Sequence, residues 1–172
     1  MERKGRAKMT ILPADVRKNS FDLVMKGYTA DEAVQEASRC FNCRSPRCSA
    51  ACPIHNEIPA FMKAASQKDF AEAYRILCRN TVFPAICGTV CPHEDQCEGS
   101  CISGIKGEPL AIGSVERFIA EWAQEQGLTK PEKPEPNGKC AVCVGAGPAS
   151  MACAEVLARS GWAVTILEKE DY

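Results

Sequence analysis

Apolar positions recur at helical spacing along the first 128 residues and then give way to short continuous runs. After a lead-in expected to be flexible, residues 13–17 begin a helix-like pattern that Gly27 is placed to end. Thr29 and Glu32 have the spacing of a capping box, and Ala33, Val34 and Ala37 continue that helix to the first cysteine. Residues 40–52 are too crowded with cysteine and proline for regular structure. Two short helices are predicted over 58–67 and 69–79, the second with Ala71, Tyr74, Leu77 and Cys78 on its buried face. A second cysteine stretch, 87–101, precedes a longer helix over 112–126. Val115, Phe118, Ile119 and Trp122 form its apolar face, and Gly127 is its stop.

Residues 130–138 read KPEKPEPNG, three prolines among charged and polar residues, which predicts an extended linker. Beyond it, residues 140–144 are a continuous apolar run of the kind a buried parallel strand shows. A glycine-rich turn follows, then a helix over 151–159 stopped by Gly161, then a second strand over 163–168. The expected organisation is a mainly α domain over 1–128, a linker over 129–138, and the first βαβ unit of an α/β Rossmann-type domain over 139–172. One such unit cannot bury both faces of its sheet, so the chain is expected to be a fragment or to be completed by a partner.

Charge and hydropathy narrow the function classes. The net charge of −1 gives no reason to expect a nucleic-acid partner. No apolar run approaches the roughly 20 residues of a membrane-spanning helix. The basic N-terminus is followed by no apolar core, so no secretory signal is expected and the cytoplasm is the expected compartment. Cysteine changes the picture most: there are 12 among 172 residues. In a reducing compartment that density points to metal rather than to disulfides. Cys78 and Cys153 stand alone within helical patterns and are expected to be small buried hydrophobes.

Eight of the others cluster as Cys40-x2-Cys43-x4-Cys48-x3-Cys52-Pro53 and Cys87-x3-Cys91-Pro92-x5-Cys97-x3-Cys101, while Cys140 and Cys143 fall in the apolar run 140–144. Soft thiolates suit iron–sulfur clusters, and loops of two to five residues let several converge on one cubane. A proline after the cysteine, present twice, fixes the loop backbone and removes a donor. Zinc prefers paired Cys-x2-Cys units, often with histidine, and only Cys40 and Cys43 form such a pair. His55 and His93 both fall in expected loops. Eight clustered cysteines point to two four-iron clusters, but spacing alone does not assign each ligand.

Gly145-Ala146-Gly147-Pro148-Ala149-Ser150 lies between strand and helix, and Glu168 ends the next strand. This is the order of a dinucleotide-binding unit: glycines for close approach to a pyrophosphate, a helix N-terminus for its charge, an acid for a ribose hydroxyl. Ser150 stands where a third Gly or Ala is usual, and is small enough for the same helix–strand packing.

Taken together, the cysteine spacings, CGTVCP, AIGSVERF, the proline-rich linker and VGAGPAS followed by CAEVLARSGWAVTILE resemble the small-chain family of NADPH-dependent glutamate synthase. The same module occurs in the flavoprotein subunit of electron-bifurcating NADH-dependent ferredoxin:NADP oxidoreductase and in the N-terminal part of dihydropyrimidine dehydrogenase. The resemblance implies an α-helical ferredoxin-like domain with two 4Fe-4S clusters, followed by the start of an FAD-binding domain. It implies one cluster on Cys40, Cys43, Cys48 and Cys101, and another on Cys52, Cys91, Cys97 and Glu116. Cys87, which spacing alone would choose, becomes a spare. Gly145, Ala146, Gly147, Pro148, Ala149 and Glu168 would then bind FAD, with the NADPH or NADH site beyond residue 172. A large redox subunit, such as a glutamate synthase large chain, is the implied partner. The activity implied is an NAD(P)H-dependent oxidoreductase. Two other readings stay open on the residues: a non-catalytic ferredoxin-like electron-transfer subunit, and a zinc-binding interaction module.

Overall fold

The structure, a computed structural model, describes residues 5–129 and 134–171. The first four residues of the predicted linker 130–138 lie outside these. The chain divides into two compact units, Met1–Leu128 and Thr129–Tyr172.

The first unit is helical. Its elements are α1 (Ala14–Arg17), α2 (Ala30–Ala37), α3 (Arg47–Ala51), α4 (Ile58–Ser66), α5 (Phe70–Leu77), α6 (Pro84–Val90) and α7 (Ile112–Glu125), with 3-10 turns at His93–Asp95 and Ile102–Ile105. The capping box opens α2 as expected: Glu32 N–H donates to Thr29 Oγ1 and Thr29 N–H donates to Glu32 Oε2 at 2.8 Å. Gly127 follows the end of α7, and Leu128 N–H returns to the Ala123 carbonyl at 2.9 Å.

The core is built where α4, α5 and α7 meet α2. Phe61, Met62, Leu77, Val115 and Ile119 are fully enclosed there. Ala33, Ala65, Ala73 and Ala123 are equally buried and let the helix axes approach closely. Phe70 packs edge-on against Phe118, with ring centroids 5.0 Å apart, and against Trp122 at 5.4 Å. Aromatic pairs in this geometry contribute about 0.5–1.5 kcal/mol beyond the area they bury.

Several expectations are corrected. The lead-in is tied down: Ala7 is buried, its N–H donates to Glu36 Oε2 at 2.7 Å, and its carbonyl accepts from the Tyr28 hydroxyl at 2.8 Å. The first helix ends at Arg17 rather than Gly27. The chain then doubles back so that Ile11 and Met25 bridge antiparallel, with Leu12 N–H on Val24 O and Lys26 N–H on Thr10 O. Those backbone bonds satisfy groups that a longer helix would have paired internally. Residues 40–52, expected to be irregular, contain α3, which Pro46 starts. Helix α6 was not foreseen. The buried face of α5 is Phe70, Ala73, Ile76 and Leu77, so Ala71 and Tyr74 lie to its side and Cys78 is only partly buried.

The second unit is β1 (Cys140–Val144), α8 (Pro148–Arg159) and β2 (Ala163–Leu167). The strands are parallel, with Cys140 opposite Ala163 and Val144 opposite Leu167. Helix α8 begins three residues earlier than predicted, because proline fits the first helical position, where its missing N–H costs nothing. Cys153, expected to be buried, is exposed, and its neighbour Ala154 is the buried one. Successive helical residues point about 100° apart, so only one of the two faces the sheet.

Candidate iron–sulfur and dinucleotide sites

The two cysteine segments of the first unit interleave. Cys40 follows α2, Cys48 lies in α3, and Cys101 precedes the 3-10 turn at Ile102–Ile105. Cys40, Cys43, Cys48 and Cys101 line one pocket together with Arg47 and Ile112. Burial pushes the Cys48 thiol up to about 11, opposed by the backbone N–H of Ser49, and Cys101, Cys40 and Cys43 push it further the same way. Cys40 is raised by burial, opposed by the backbone N–H of Asn42, with Cys43 and Cys101 as electrostatic neighbours. The residue distant in sequence, Cys101, therefore stands with the first segment.

The second group forms around α6 and α7. Cys52 ends α3, Cys91 ends α6, and Cys97 is buried in the loop between α6 and α7. Burial raises Cys97 to about 12, and the carboxylates of Glu98 and Glu116 and the Cys52 thiol add to it. Cys91 is raised to about 11 by burial, then by Cys87, Glu116 and Cys52. Glu116 is 7% exposed on α7, and its Oε1 is buried without a hydrogen-bond partner. Burial pushes its carboxyl up to about 8. A buried carboxylate oxygen with no donor is costly. A bound cation beside it removes that cost, and bound metal likewise deprotonates a coordinating thiol.

Why these side chains meet is a matter of packing. Gly88, in the first turns of α6, is pressed against α7: a Cβ there would lie 2.5 Å from the backbone nitrogen of Arg117. Only glycine lets the two helices close enough to set Cys91 beside Glu116. The first turn of α7 has no side-chain cap at Ala111. Instead, Ala111 N–H donates to Glu36 Oε1 at 2.9 Å and Gly113 N–H to Glu98 Oε1 at 3.1 Å. Both carboxylates are buried and charge-paired, Glu36 with Arg39 at 2.5 Å and Glu98 with Arg6 at 2.7 Å. These positioning residues were missed from the sequence, where a glutamate in an amphipathic pattern reads as solvated.

All seven cysteines of the two groups are free thiols. Among the described residues, no three His, Cys, Asp or Glu side chains close on a single point as around one metal ion. Cys91 also lines a cavity of about 470 Å³ together with Arg6, Met25, His93, Glu98 and Arg117.

In the second unit, Gly145 adopts φ +87°, a conformation that favours glycine, and its N–H donates to the Leu167 carbonyl at 2.6 Å. Gly147 caps α8 with no side chain over the first turn. Glu168 comes back to the same loop. Its Oε2 accepts from Ala146 N–H at 2.6 Å, and its Oε1 accepts from Lys169 N–H at 2.7 Å. These bonds hold its carboxyl below the usual range. The turn, the helix N-terminus and the acid that the sequence singled out thus share one edge of the sheet, with Pro148 and Ala149 beginning the helix.

A helical unit with two gathered sets of thiols, followed by a glycine-turn βαβ unit, defines a cysteine-rich redox domain joined to a dinucleotide-binding one. The chain belongs to the family described as dihydropyrimidine dehydrogenase domain II, 4Fe-4S cluster, whose model matches residues 17–128; an NAD(P)-binding Rossmann-like domain matches residues 143–172. It is 35% identical over 159 residues to the glutamate synthase [NADPH] small chain of Escherichia coli (strain K12), which covers 91% of this chain and 34% of that protein. It is 36% identical over 161 residues to the glutamate synthase [NADPH] small chain of Azospirillum brasilense, 92% of this chain and 33% of that one. The NAD-dependent dihydropyrimidine dehydrogenase subunit PreT of Escherichia coli (strain K12) is 33% identical over 158 residues, 90% of this chain and 37% of that one. The chain spans about a third of the length of these relatives. Among the described residues, no helix is long and apolar enough to cross a membrane.

Proposed function

We propose that the chain is the N-terminal part of an NAD(P)H-dependent flavin and iron–sulfur oxidoreductase of the glutamate synthase small-chain type, which relays electrons through two 4Fe-4S clusters. The observation that carries this reading is the orphaned Oε1 of Glu116, buried beside Cys91 and Cys97. A carboxylate at that depth is stabilised by a bound cation.

Cys40, Cys43, Cys48 and Cys101 are the ligands of the first cluster, and Cys52, Cys91, Cys97 and Glu116 those of the second. Bound clusters supply one-electron transfer, and a bound flavin supplies the link to two-electron hydride chemistry. The chain's own residues do the rest. The thiols and Glu116 bind, Glu36 and Glu98 hold the first turn of α7, and Gly88 sets the α6–α7 separation. Gly145, Ala146 and Gly147 leave room for a pyrophosphate at the N-terminus of α8, with Pro148 and Ala149 extending the helix behind them. Glu168 is the acceptor for a ribose hydroxyl of FAD. A larger redox subunit is the partner, supported by relatives named as small chains. A reducing compartment, the cytoplasm, suits so many free thiols.

Iron and acid-labile sulfide assays on the anaerobically purified chain test this. About eight of each per chain are expected for two cubanes. Stoichiometric zinc, or iron near four, overturns it.

A further inference from the structure

Among the described residues, three buried side-chain oxygens have no hydrogen-bond partner: Asn56 Oδ1, Ser103 Oγ and Glu116 Oε1. Glu116 stands with the second set of thiols. Ser103 stands with the first, because it lines the pocket that Cys40, Cys43, Cys48 and Cys101 also line. It lies two residues after Cys101, in the 3-10 turn Ile102–Ile105. Cys101 is the N-cap of that turn, and its carbonyl accepts from Gly104 N–H at 3.0 Å. The backbone that carries Ser103 is thus tied to the residue that brings Cys101 to the pocket.

A serine hydroxyl commonly satisfies itself on a nearby backbone carbonyl. Ser38, Ser66 and Ser160 do so, donating to the carbonyls of Val34, Lys63 and Val156 at 2.6, 2.7 and 3.0 Å. Ser103 does not, and a buried hydroxyl left unpaired is unfavourable. The other side chains around it in the pocket offer no oxygen to accept its proton. Ile58, Leu110 and Ile112 are apolar, and Arg47 has only donors. The acceptor that Ser103 lacks is therefore chemistry that the contents of the pocket supply, and the sulfur of an anionic cluster is such an acceptor.

We propose that the Ser103 hydroxyl donates a hydrogen bond to a sulfur of the cluster held by Cys40, Cys43, Cys48 and Cys101, and so raises that cluster's reduction potential. This rests on the ligand assignment above. A donor at sulfur draws electron density away from the iron and favours the reduced form, which carries the greater negative charge. The two orphaned oxygens then act in opposite senses. The carboxylate of Glu116 adds negative charge at the second cluster, and the hydroxyl of Ser103 withdraws it from the first.

The test is an EPR-monitored redox titration of the full chain, purified anaerobically, as the parent, Ser103→Ala and Ser103→Thr. The first cluster is the one whose signal Cys101→Ala removes. In Ser103→Ala its midpoint moves to more negative potential while the second cluster's stays put. Ser103→Thr keeps the hydroxyl and stays near the parent. ENDOR before and after exchange into D2O is the second readout. One exchangeable proton coupled to the first cluster is expected in the parent and Ser103→Thr and is lost in Ser103→Ala. Equal first-cluster midpoints in the parent and Ser103→Ala overturn the proposal, and so does an equal shift of both clusters, which marks a change in the fold rather than one lost hydrogen bond. An unchanged set of exchangeable protons in Ser103→Ala overturns it as well. Should Ser103→Ala load poorly, Ser103→Gly removes the same hydroxyl and is read in the same way. A parent that lacks the first cluster altogether sinks the ligand assignment and this proposal with it. Failure of the proposal alone leaves that cluster in place with an unmoved midpoint, so the two are distinguishable.

Discussion

The two thiol groups of the helical unit solve the same problem with opposite surroundings. The first is a set of four cysteines with backbone N–H groups and the Arg47 side chain beside it. The second has three cysteines, the unpartnered carboxylate of Glu116, the nearby carboxylate of Glu98, and the cavity that Cys91 lines. Positive and N–H neighbours favour added electrons, and carboxylates disfavour them. Under the proposed ligand assignment, a cluster held by the first set should have the higher midpoint and one held by the second set the lower. Packing rather than cysteine content sets that difference.

The largest effect should come from breaking the interleaving. Cys101→Ala removes the first cluster, and with it about four irons, and leaves the signal of the second. Cys97→Ala, four residues away, does the reverse. Iron analysis with EPR separates the two. If both variants lose the same signal, the cysteine segments are separate sites and the comparison fails.

Gly88→Ala comes next. Its Cβ would meet the Arg117 backbone at 2.5 Å, so α6 must shift away from α7. Overpacking of this kind costs about 1–3 kcal/mol. Thermal unfolding should show the loss, and iron content should fall at the second site first. Unchanged stability would mean that the helix contact is looser than described.

Glu116→Gln sharpens the electrostatic half of the comparison. Replacing a charged ligand with a neutral one should raise the second cluster's midpoint and leave the first unchanged in a redox titration. An unmoved second midpoint removes Glu116 from the coordination sphere.

The smallest effect concerns the metal-free chain. The Glu116 carboxyl titrates at 4.5 when unfolded and at about 8 when folded. Between those values the unfolded chain binds fewer protons than the folded one, so stability falls as pH rises from about 5 to 8 and levels above that. Melting of the metal-free chain should therefore be lower at pH 8 than at pH 6, and Glu116→Gln should flatten that slope. The raised thiols of Cys48, Cys91 and Cys97 lie well above this window.

Much of this architecture was legible locally. The capping box at Thr29, the stop after α7, the glycine turn at 145–147 and the two strands follow from spacing that a short segment enforces by itself. Helix α6 and the pinned N-terminal segment were not legible, because both form through distant partners: Gly88 against Arg117, and Ala7 against Glu36. The buried face of α5 was misplaced by one residue because Tyr74 and Cys78 are as apolar in composition as Ala73 and Leu77, and only neighbours decide between them. Glu36, Glu98 and Glu116 escaped residue-level reasoning for the same cause. A glutamate on an amphipathic pattern carries no sign that it will be enclosed; resemblance alone drew attention to Glu116.

By itself, then, the sequence determined the chemical inventory and its local geometry: many thiols on short loops, prolines after two of them, and a glycine turn between strand and helix. The tertiary structure decided which thiols stand together. Cys101 joins Cys40, Cys43 and Cys48 because the intervening helices fold back on α2, and no spacing encodes a contact across more than 50 residues. It also decided which carboxylates are buried, since burial is a property of what surrounds a side chain and not of the side chain.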